Sequence, residues 1–425
     1  MSSLFEQISS LKGFPIKQAK AELKRIQALS ADEFCEWQKN MSWEIAKFHY
    51  DNNALYKKLV GNHFPDKWED LPIVTKQDLQ QPLDSLLSNG IRLSDSYKGS
   101  TSGSTGTPFF FAKDKYAHAM TWAVIADRYS WYDIDFSDKQ ARFYGMPHEF
   151  AARYTEKLKD RLMNRERFSV FDLSDTALNT FINRFANNRF TYLYGYTSAL
   201  VMFARHLIKK ELALNDICKS IKVCICTSET CTEEDKAIMS KGFGVPIIRE
   251  YGLSETCLTA FDNPNSDWQL TEETLFTEEV DGRIVSTSLY NKALPMVRYQ
   301  TGDLGEIVTV NNSKYRKLDR LTGRTNDTVH LPSGKTAAGL VFYYISRSVL
   351  ENTGALKEFI IRQTKSNQFV FDIVSDRELT ETEQELVKEK CNLYLEPGLD
   401  IVINKVDEIS RPASGKLKHF YSELN

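Results

Sequence analysis

Between Ser100 and Thr107, within KGSTSGSTGTPFFF, the chain carries nothing but Ser, Thr and Gly, and then runs through Pro108 into three phenylalanines. Glycines admit left-handed backbone, and a loop of this kind turns its N–H groups into a concave nest that suits the phosphates of a nucleotide. It is not a Walker loop, because GxxxxGK[ST] is absent, and it lacks the GxGxxG spacing of a dinucleotide fold. Four more short polar motifs follow at long intervals. In REYGLSET, Tyr251 offers a flat face for stacking on a purine and Glu255 a hard oxygen for magnesium beside phosphates. In VRYQTGDLGEI, Asp303 is expected in a tight Thr-Gly-Asp turn after a strand, placed like a carboxylate that receives ribose hydroxyls. In DRLTGRTND, Arg324 has the forked guanidinium that grips a ribose or phosphate. In SRPASGKLKHF, Lys416 follows a Pro/Gly turn that can project its cation into a cleft. Singly, each has an ordinary structural reading: a surface loop, a strand end, a turn aspartate, a solvated charge.

The elements that must hold these motifs follow from hydrophobic periodicity. Residues 1 to about 95 read as mostly helical, with Thr75 expected to cap a helix and Asp78 three residues on, close to a capping box. From about 109 to 325, strand-like runs (FFFAK, ARFYGMP, RFTYLYG, SIKVCICTS, VPIIREYG, GRIVSTSLY) alternate with helical segments such as TSALVMFARHLIKKEL and TEEDKAIMSKGF. That is the rhythm of an α/β domain. After GRTND the rhythm shifts to a smaller α+β unit: a helical GLVFYYISRSVLEN, strands in EFIIRQTKSNQFVFDIVS, a helix in LTETEQELVKEKCNLYL and a last strand LDIVINKVDEI. The expected division is a large domain over 1–325 and a small lid domain over 326–425.

Composition bounds the chemistry. The chain has 425 residues, 42% hydrophobic and 26% charged, and its 54 Lys+Arg against 57 Asp+Glu leave no basic field to recruit nucleic acid or an anionic membrane. No apolar run reaches membrane-spanning length, and the N-terminus lacks the pattern of a secretory signal, so a cytoplasmic protein is expected. Cys224, Cys226, Cys231 and Cys257 have no CxxC pair or neighbouring histidine to complete a zinc set. Alternation in SIKVCICTS instead puts Cys224 and Cys226 on one face of a strand as small hydrophobes.

The order GSTSGSTGTP, TSET, EYGLSET, RYQTGD, GRTND and ASGKLK resembles the adenylate-forming superfamily of acyl-CoA synthetases, peptide-synthetase adenylation domains and luciferases. HYDNNALYKKLVG, LPIVTKQDL and LYGYTSAL are similar to its branch of phenylacetate-CoA ligases and CapK-like proteins. The resemblance implies a large N-terminal domain of layered α/β sheets and a small mobile C-terminal domain. It makes Ser100, Thr101, Ser102, Gly103, Ser104, Thr105, Gly106 and Thr107 the phosphate loop, with Thr105 touching the ATP phosphates. Ser228 and Glu229 match the adenine-side turn, and Tyr251 is flanked by Gly252 and Ser254 in the purine-stacking motif. Glu255 matches the magnesium ligand, Asp303 the ribose-binding aspartate, Arg324 the arginine of the domain junction and Lys416 the lysine needed for adenylation. Two departures stand out. Phe109 follows Pro108 where the superfamily's loop often has a lysine, and the junction reads GRTND, with Asn326 and then Asp327 at the hinge where GRxDD is commoner.

The implied reaction activates a carboxylic acid with ATP and magnesium as an acyl adenylate, releases pyrophosphate, and passes the acyl group to a thiol (CoA or a carrier protein) or an amine. By family position the acid pocket lies among the TWAVIADRYSWY helix, the FYGMPHEF segment with His148, and the turn Tyr194, Gly195, Tyr196. Transfer of AMP to a hydroxyl, and a nucleotide-binding protein without catalysis, are the alternatives; the retention of Glu255, Asp303 and Lys416 together favours the enzyme.

Overall fold

The computed structural model describes residues 4–101, 109–144, 150–170, 173, 175–311, 313–324, 328–334, 336–338, 342, 345, 356–409 and 420–424. By packing, the chain forms two units, residues 1–301 with 306–320 and residues 302–305 with 321–425.

The first unit opens with helices Leu4–Leu11, Ile16–Gln27, Ala31–Asn52 and Ala54–Val60. The Ala31–Asn52 helix begins at a capping box, in which the Ser30 hydroxyl accepts from the Glu33 amide and the Glu33 carboxylate from the Ser30 amide. Thr75 and Asp78 make the same reciprocal bonds, at 2.8 Å and 3.3 Å, yet no helix follows. Val74 is held in a parallel bridge to Tyr299 and Pro82 lies seven residues beyond Thr75, so the box closes a turn instead of starting a helix.

Strands β1 (Ser96–Thr101) and β2 (Phe109–Asp114) form an antiparallel pair, with Thr101 opposite Phe109 and Ser96 opposite Asp114. Ser100 and Thr101 therefore belong to a strand, and the connection between the two strands is residues 102–108. The next strands are β3 (Gln140–Phe143), β4 (Arg165–Phe168), β5 (Tyr192–Tyr196), β6 (Val223–Thr227), β7 (Ile247–Leu253), β8 (Cys257–Asp262) and β9 (Trp268–Leu270). After them come β10 (Leu275–Val280), β11 (Arg283–Ser288), β12 (Tyr299–Val308) and β13 (Lys317–Arg324). They join in an eleven-stranded sheet ordered β10-β11-β12-β13-β9-β8-β7-β6-β5-β3-β4, in which β4, β3, β5, β6 and β7 run parallel.

Every residue of β6 is buried, as a central parallel strand covered on both faces requires. Its alternation divides the core. Cys224 and Cys226 face the cluster built by helices Asp175–Ala186, Thr197–Lys209 and Glu233–Phe243, while Val223 and Ile225 face the one built by Ile16–Gln27 and Lys115–Ser130. The two cysteines are thus core residues on one strand face, as their spacing predicts.

The second unit contains hairpin β14 (Thr328–His330) with β15 (Thr336–Ala338), and a four-stranded sheet ordered β18-β17-β16-β19. Its strands are β16 (Leu356–Lys365), β17 (Gln368–Ser375), β18 (Asp400–Val406) and β19 (Phe420–Ser422), with the capped helix Glu381–Tyr394 between β17 and β18. This is the small α+β unit expected from the sequence. Among the described residues, no helix is long and apolar enough to cross a membrane.

One ion pair ties the first unit together. The Arg128 and Glu273 side chains, both fully buried, meet at 2.7 Å, Asp127 takes the other end of the guanidinium at 2.6 Å, and Trp131 covers it at 4.4 Å. Removing one member of a buried pair leaves an uncompensated charge, whereas replacing both with apolar groups is often neutral. Arg128→Met is expected to cost about 3–5 kcal/mol, and the double change Arg128→Met/Glu273→Leu to restore most of it, read from urea unfolding midpoints.

Candidate active site

Parallel strands in an open sheet deliver their carboxyl ends to one edge, where α/β proteins bind ligands. Here that edge collects Tyr144 after β3, Tyr196 at the end of β5, Ser228 after β6 and Tyr251 in β7. Gly195 permits the close approach of β5 to β3: an added Cβ would stand 2.5 Å from Phe143 Cβ and 2.7 Å from its carbonyl oxygen. The Tyr144 ring lies 4.3 Å from Tyr196 and stacks on Tyr194 at 5.8 Å. The Arg142 guanidinium sits over Tyr144 at 4.1 Å and Tyr194 at 4.8 Å. Tyr194 donates to the Glu250 carboxylate at 2.6 Å; burial pushes the Glu250 pKa up, and the Tyr194 and Thr227 hydrogen bonds and the Arg142 charge oppose it. The residues expected to line the acid pocket therefore form a tyrosine-walled cluster around a guanidinium, and Arg142 and Glu250 are members that the sequence reading missed.

The TSET turn is strained and divided in purpose. Ser228 is exposed with φ 69°, in the left-handed region, and its Oγ lies 3.5 Å from Tyr144 Oη. Glu229 points to the neighbouring helix: its Oε2 accepts from the Ser198 amide at 2.7 Å, satisfying a donor in the first turn of Thr197–Lys209, while its Oε1 is buried with no hydrogen-bond partner among the described residues. Pairing of Thr227 with Glu250 sets this turn beside Tyr251. Tyr251 is 8% exposed, its ring meeting Trp268 edge-on at 6.1 Å, so it is a buried strand residue where an open stacking face was expected.

EYGLSET is a hairpin. β7 continues through Gly252 to Leu253, a register shift falls between Tyr251 and Gly252, and β8 begins at Cys257, leaving Ser254, Glu255 and Thr256 as the tip. A Cβ on Gly252 would lie 2.7 Å from the Cys257 carbonyl, so the crossing requires glycine. Ser254 is exposed, while Glu255 is 6% exposed and accepts from the Tyr299 hydroxyl at 3.2 Å. Tyr299 packs in the same apolar cluster as Phe109 and Phe111. The strand leaving the glycine-rich loop and the acidic hairpin tip thus share one support.

Phe109, Phe111 and Lys113 alternate on the inner face of β2, and Lys113 is 4% exposed. Burial lowers its pKa, opposed by the fields of Cys257 and Glu255. A charge on an apolar stripe was the available signal, and FFFAK was read only as a strand. β2 is buttressed from behind. Asn291 Nδ2 donates to the Ala112 carbonyl at 3.2 Å, and the Asn291 carbonyl accepts from His49 Nε2 at 2.9 Å, which makes His49 Nδ1 the acceptor facing Ser88 Oγ at 3.0 Å.

Asp303 lies within β12, 4% exposed, one residue after Gly302 at φ 81°. The Thr-Gly-Asp step is a left-handed kink inside a strand, where a turn after the strand was expected; glycine supplies the sharp bend without ending the strand. Ser102, Gly103, Ser104, Thr105, Gly106, Thr107, His148, Asn326, Asp327 and Lys416 lie outside the described residues, and Thr101 and Arg324 are described as strand positions only.

No protein-family model matches the chain. Protein CapK of Staphylococcus aureus is 23% identical over 325 residues, 72% of this chain and 69% of that one. Phenylacetate-coenzyme A ligase of Aromatoleum evansii is 29% identical over 128 residues, 25% of this chain and 28% of the relative. Among solved structures, a 2-hydroxyisobutyryl-CoA ligase crystallised in the postadenylation state with an acyl-AMP overlays with a TM-score of 0.69 at 14% identity, covering 94% of this chain and 92% of that one. The chain thus shares the fold of that CoA ligase. In sequence it is similar to CapK over most of its length and to phenylacetate-coenzyme A ligases over a quarter of it.

Burial holds His49 neutral, with its pKa lowered from 6.5 to about 4. Between those values the unfolded chain binds the extra proton, so this contribution to stability is complete above pH 6.5 and is lost as pH falls toward 4. His118, lowered to about 3 chiefly by burial, adds a loss of the same sign. Thermal midpoints are expected to drop over that window, with a shallower slope in His49→Gln, whose amide can make both bonds without titrating.

Proposed function

We propose that the protein activates a carboxylic acid with ATP and transfers the acyl group to a thiol or an amine. The observation that carries this reading is the shared support of the glycine-rich hairpin and the buried Glu255 through Tyr299, on a fold whose relatives include CoA ligases. A carboxylate oxygen attacks the α-phosphorus of ATP, the bond from that phosphorus to the β-bridging oxygen breaks, and pyrophosphate leaves with the electron pair. The acceptor then attacks the acyl carbon and AMP departs. Neither step needs a covalent protein nucleophile; both need positioning and neutralisation of developing charge.

Magnesium fits Glu255. Among the described residues no group of three or more His, Cys, Asp or Glu side chains could hold a metal by itself, and a magnesium ion beside phosphates ordinarily takes only one or two carboxylates. The buried carboxylate of Glu255 would hold the ion, which when bound would supply charge neutralisation beside the phosphates. The Tyr144, Tyr194 and Tyr196 cluster is assigned to the acid, the Ser228 turn to the adenine side, Asp303 to the ribose, Arg324 to the nucleotide and Lys416 to the adenylation step. The acceptor is CoA, a carrier-protein thiol or an amine.

Pyrophosphate release with ATP and magnesium, measured across aryl, fatty and amino acids with and without CoA, tests the reading. Acid-dependent release is expected, lowered by about 10²-fold or more in Lys416→Ala and needing more magnesium for half-maximal rate in Glu255→Gln. Full activity in Lys416→Ala sinks the assignment of that lysine, and ATP binding without turnover on any acid sinks the enzyme.

A further inference from the structure

Lys113 occupies a position that belongs to an apolar residue. It extends the stripe of Phe109 and Phe111, each 1% exposed, and is itself 4% exposed. Among the described residues its ammonium makes no hydrogen bond and no ion pair; the contact it has is with the Phe111 ring, 5.8 Å from Nζ to the centroid. A lysine buried this deeply with no carboxylate in direct contact is costly for a fold to hold, the more so when the nearby negative field of Glu255 acts on it only at a distance.

The surroundings carry a second idle donor. Tyr97 stands directly across from Lys113 on β1, and its ring stacks on His118 at 4.0 Å with 17° between planes. Nε2 of His118 accepts from Trp122 Nε1 at 3.0 Å, which places the imidazole proton on Nδ1, and Nδ1 is buried with no partner among the described residues. The same cluster that holds Phe109 and Phe111 holds Tyr299, whose hydroxyl reaches Glu255. Lys113 and His118 also sense one another electrostatically, as Lys113 does Glu255 and Cys257.

We infer that Lys113 is a resident cation of the reactant site, with His118 on the helix that follows its strand, and that the group it pairs with directly is an anionic oxygen of a bound reactant, from the ATP polyphosphate or the carboxylate of the acid. The inference rests on the adenylating reading above. It places a fixed positive charge on the strand that leaves the glycine-rich loop, in a chain whose loop has Phe109 where the superfamily it resembles often has a lysine.

Lys113→Met separates this role from a structural one, because methionine fills the same space without the charge. The apo protein is expected to gain a few degrees in thermal midpoint, while kcat/KM falls at least tenfold through a rise in one KM. A rise confined to ATP identifies the polyphosphate as the ligand, and one confined to the acid identifies its carboxylate. Lys113→Gln, which keeps a polar tip, is expected to show the same KM effect and guards against a folding artefact in the methionine variant. If the wild-type protein releases pyrophosphate and both KM values are unchanged in the two variants, this inference falls alone. If the wild-type protein releases none with any acid, the adenylating reading itself falls.

Discussion

The buried pair of Arg128 and Glu273 is the interaction on which the first unit hangs. Arg128 ends the Lys115–Ser130 helix, which begins at the Asp114 cap directly after β2 and carries His118. Glu273 and its neighbour Glu272 are reached from several directions: Gln27 from the second helix, Gln38 from the third, and Arg316 from the segment before β13. Lys314 adds bonds to the carbonyls of Gln27 and Leu29. A pair of charges in the interior returns little net stability, because desolvation offsets the attraction, but it penalises every arrangement that separates them. The N-terminal helices, the helix behind the glycine-rich hairpin and the 271–275 segment are therefore fixed in one mutual position.

That constraint decides how the catalytic edge can be rigid while its parts come from distant sequence. Tyr299 joins Glu255 to β2, Asn291 joins β2 to His49, and Gly195 brings β5 against Phe143. Each link is one side chain or one missing Cβ. Hydrogen bonds from Tyr194 to Glu250 and from Tyr299 to Glu255 tie the polar groups of the edge to one another within that packing.

Much of this was legible in the sequence. Alternation in SIKVCICTS placed the two cysteines on one strand face, and the switch from α/β rhythm to a smaller α+β unit was visible in periodicity alone. What failed was local geometry. A capping box at Thr75 and Asp78 carries the same residues whether a helix or a turn follows, and only the bridge from Val74 to Tyr299 decides. A Thr-Gly-Asp step looks like a turn because glycine at positive φ is a turn signal, yet a strand can absorb the same kink. Tyr194, Gly195 and Tyr196, expected at the acid pocket, meet in one cluster, but its members Arg142 and Glu250 were not singled out, because each falls in a run that reads simply as a strand. Lys113 was visible as a charge in FFFAKD and was passed over because exposed lysines at strand ends are common.

The burial of the thiols bears on the hazard of making an acylating reagent. An acyl adenylate reacts with any nucleophile it meets, and a thiolate is among the best. Cys218, Cys224, Cys226, Cys257 and Cys391 are buried, and burial drives the Cys224 pKa far above its ordinary value. The fully exposed thiol, Cys35, is on the Ala31–Asn52 helix, remote in sequence from every motif of the site. By placing most of its sulfur between sheet and helices, the fold makes those thiols poor competitors for the acceptor of the proposed reaction.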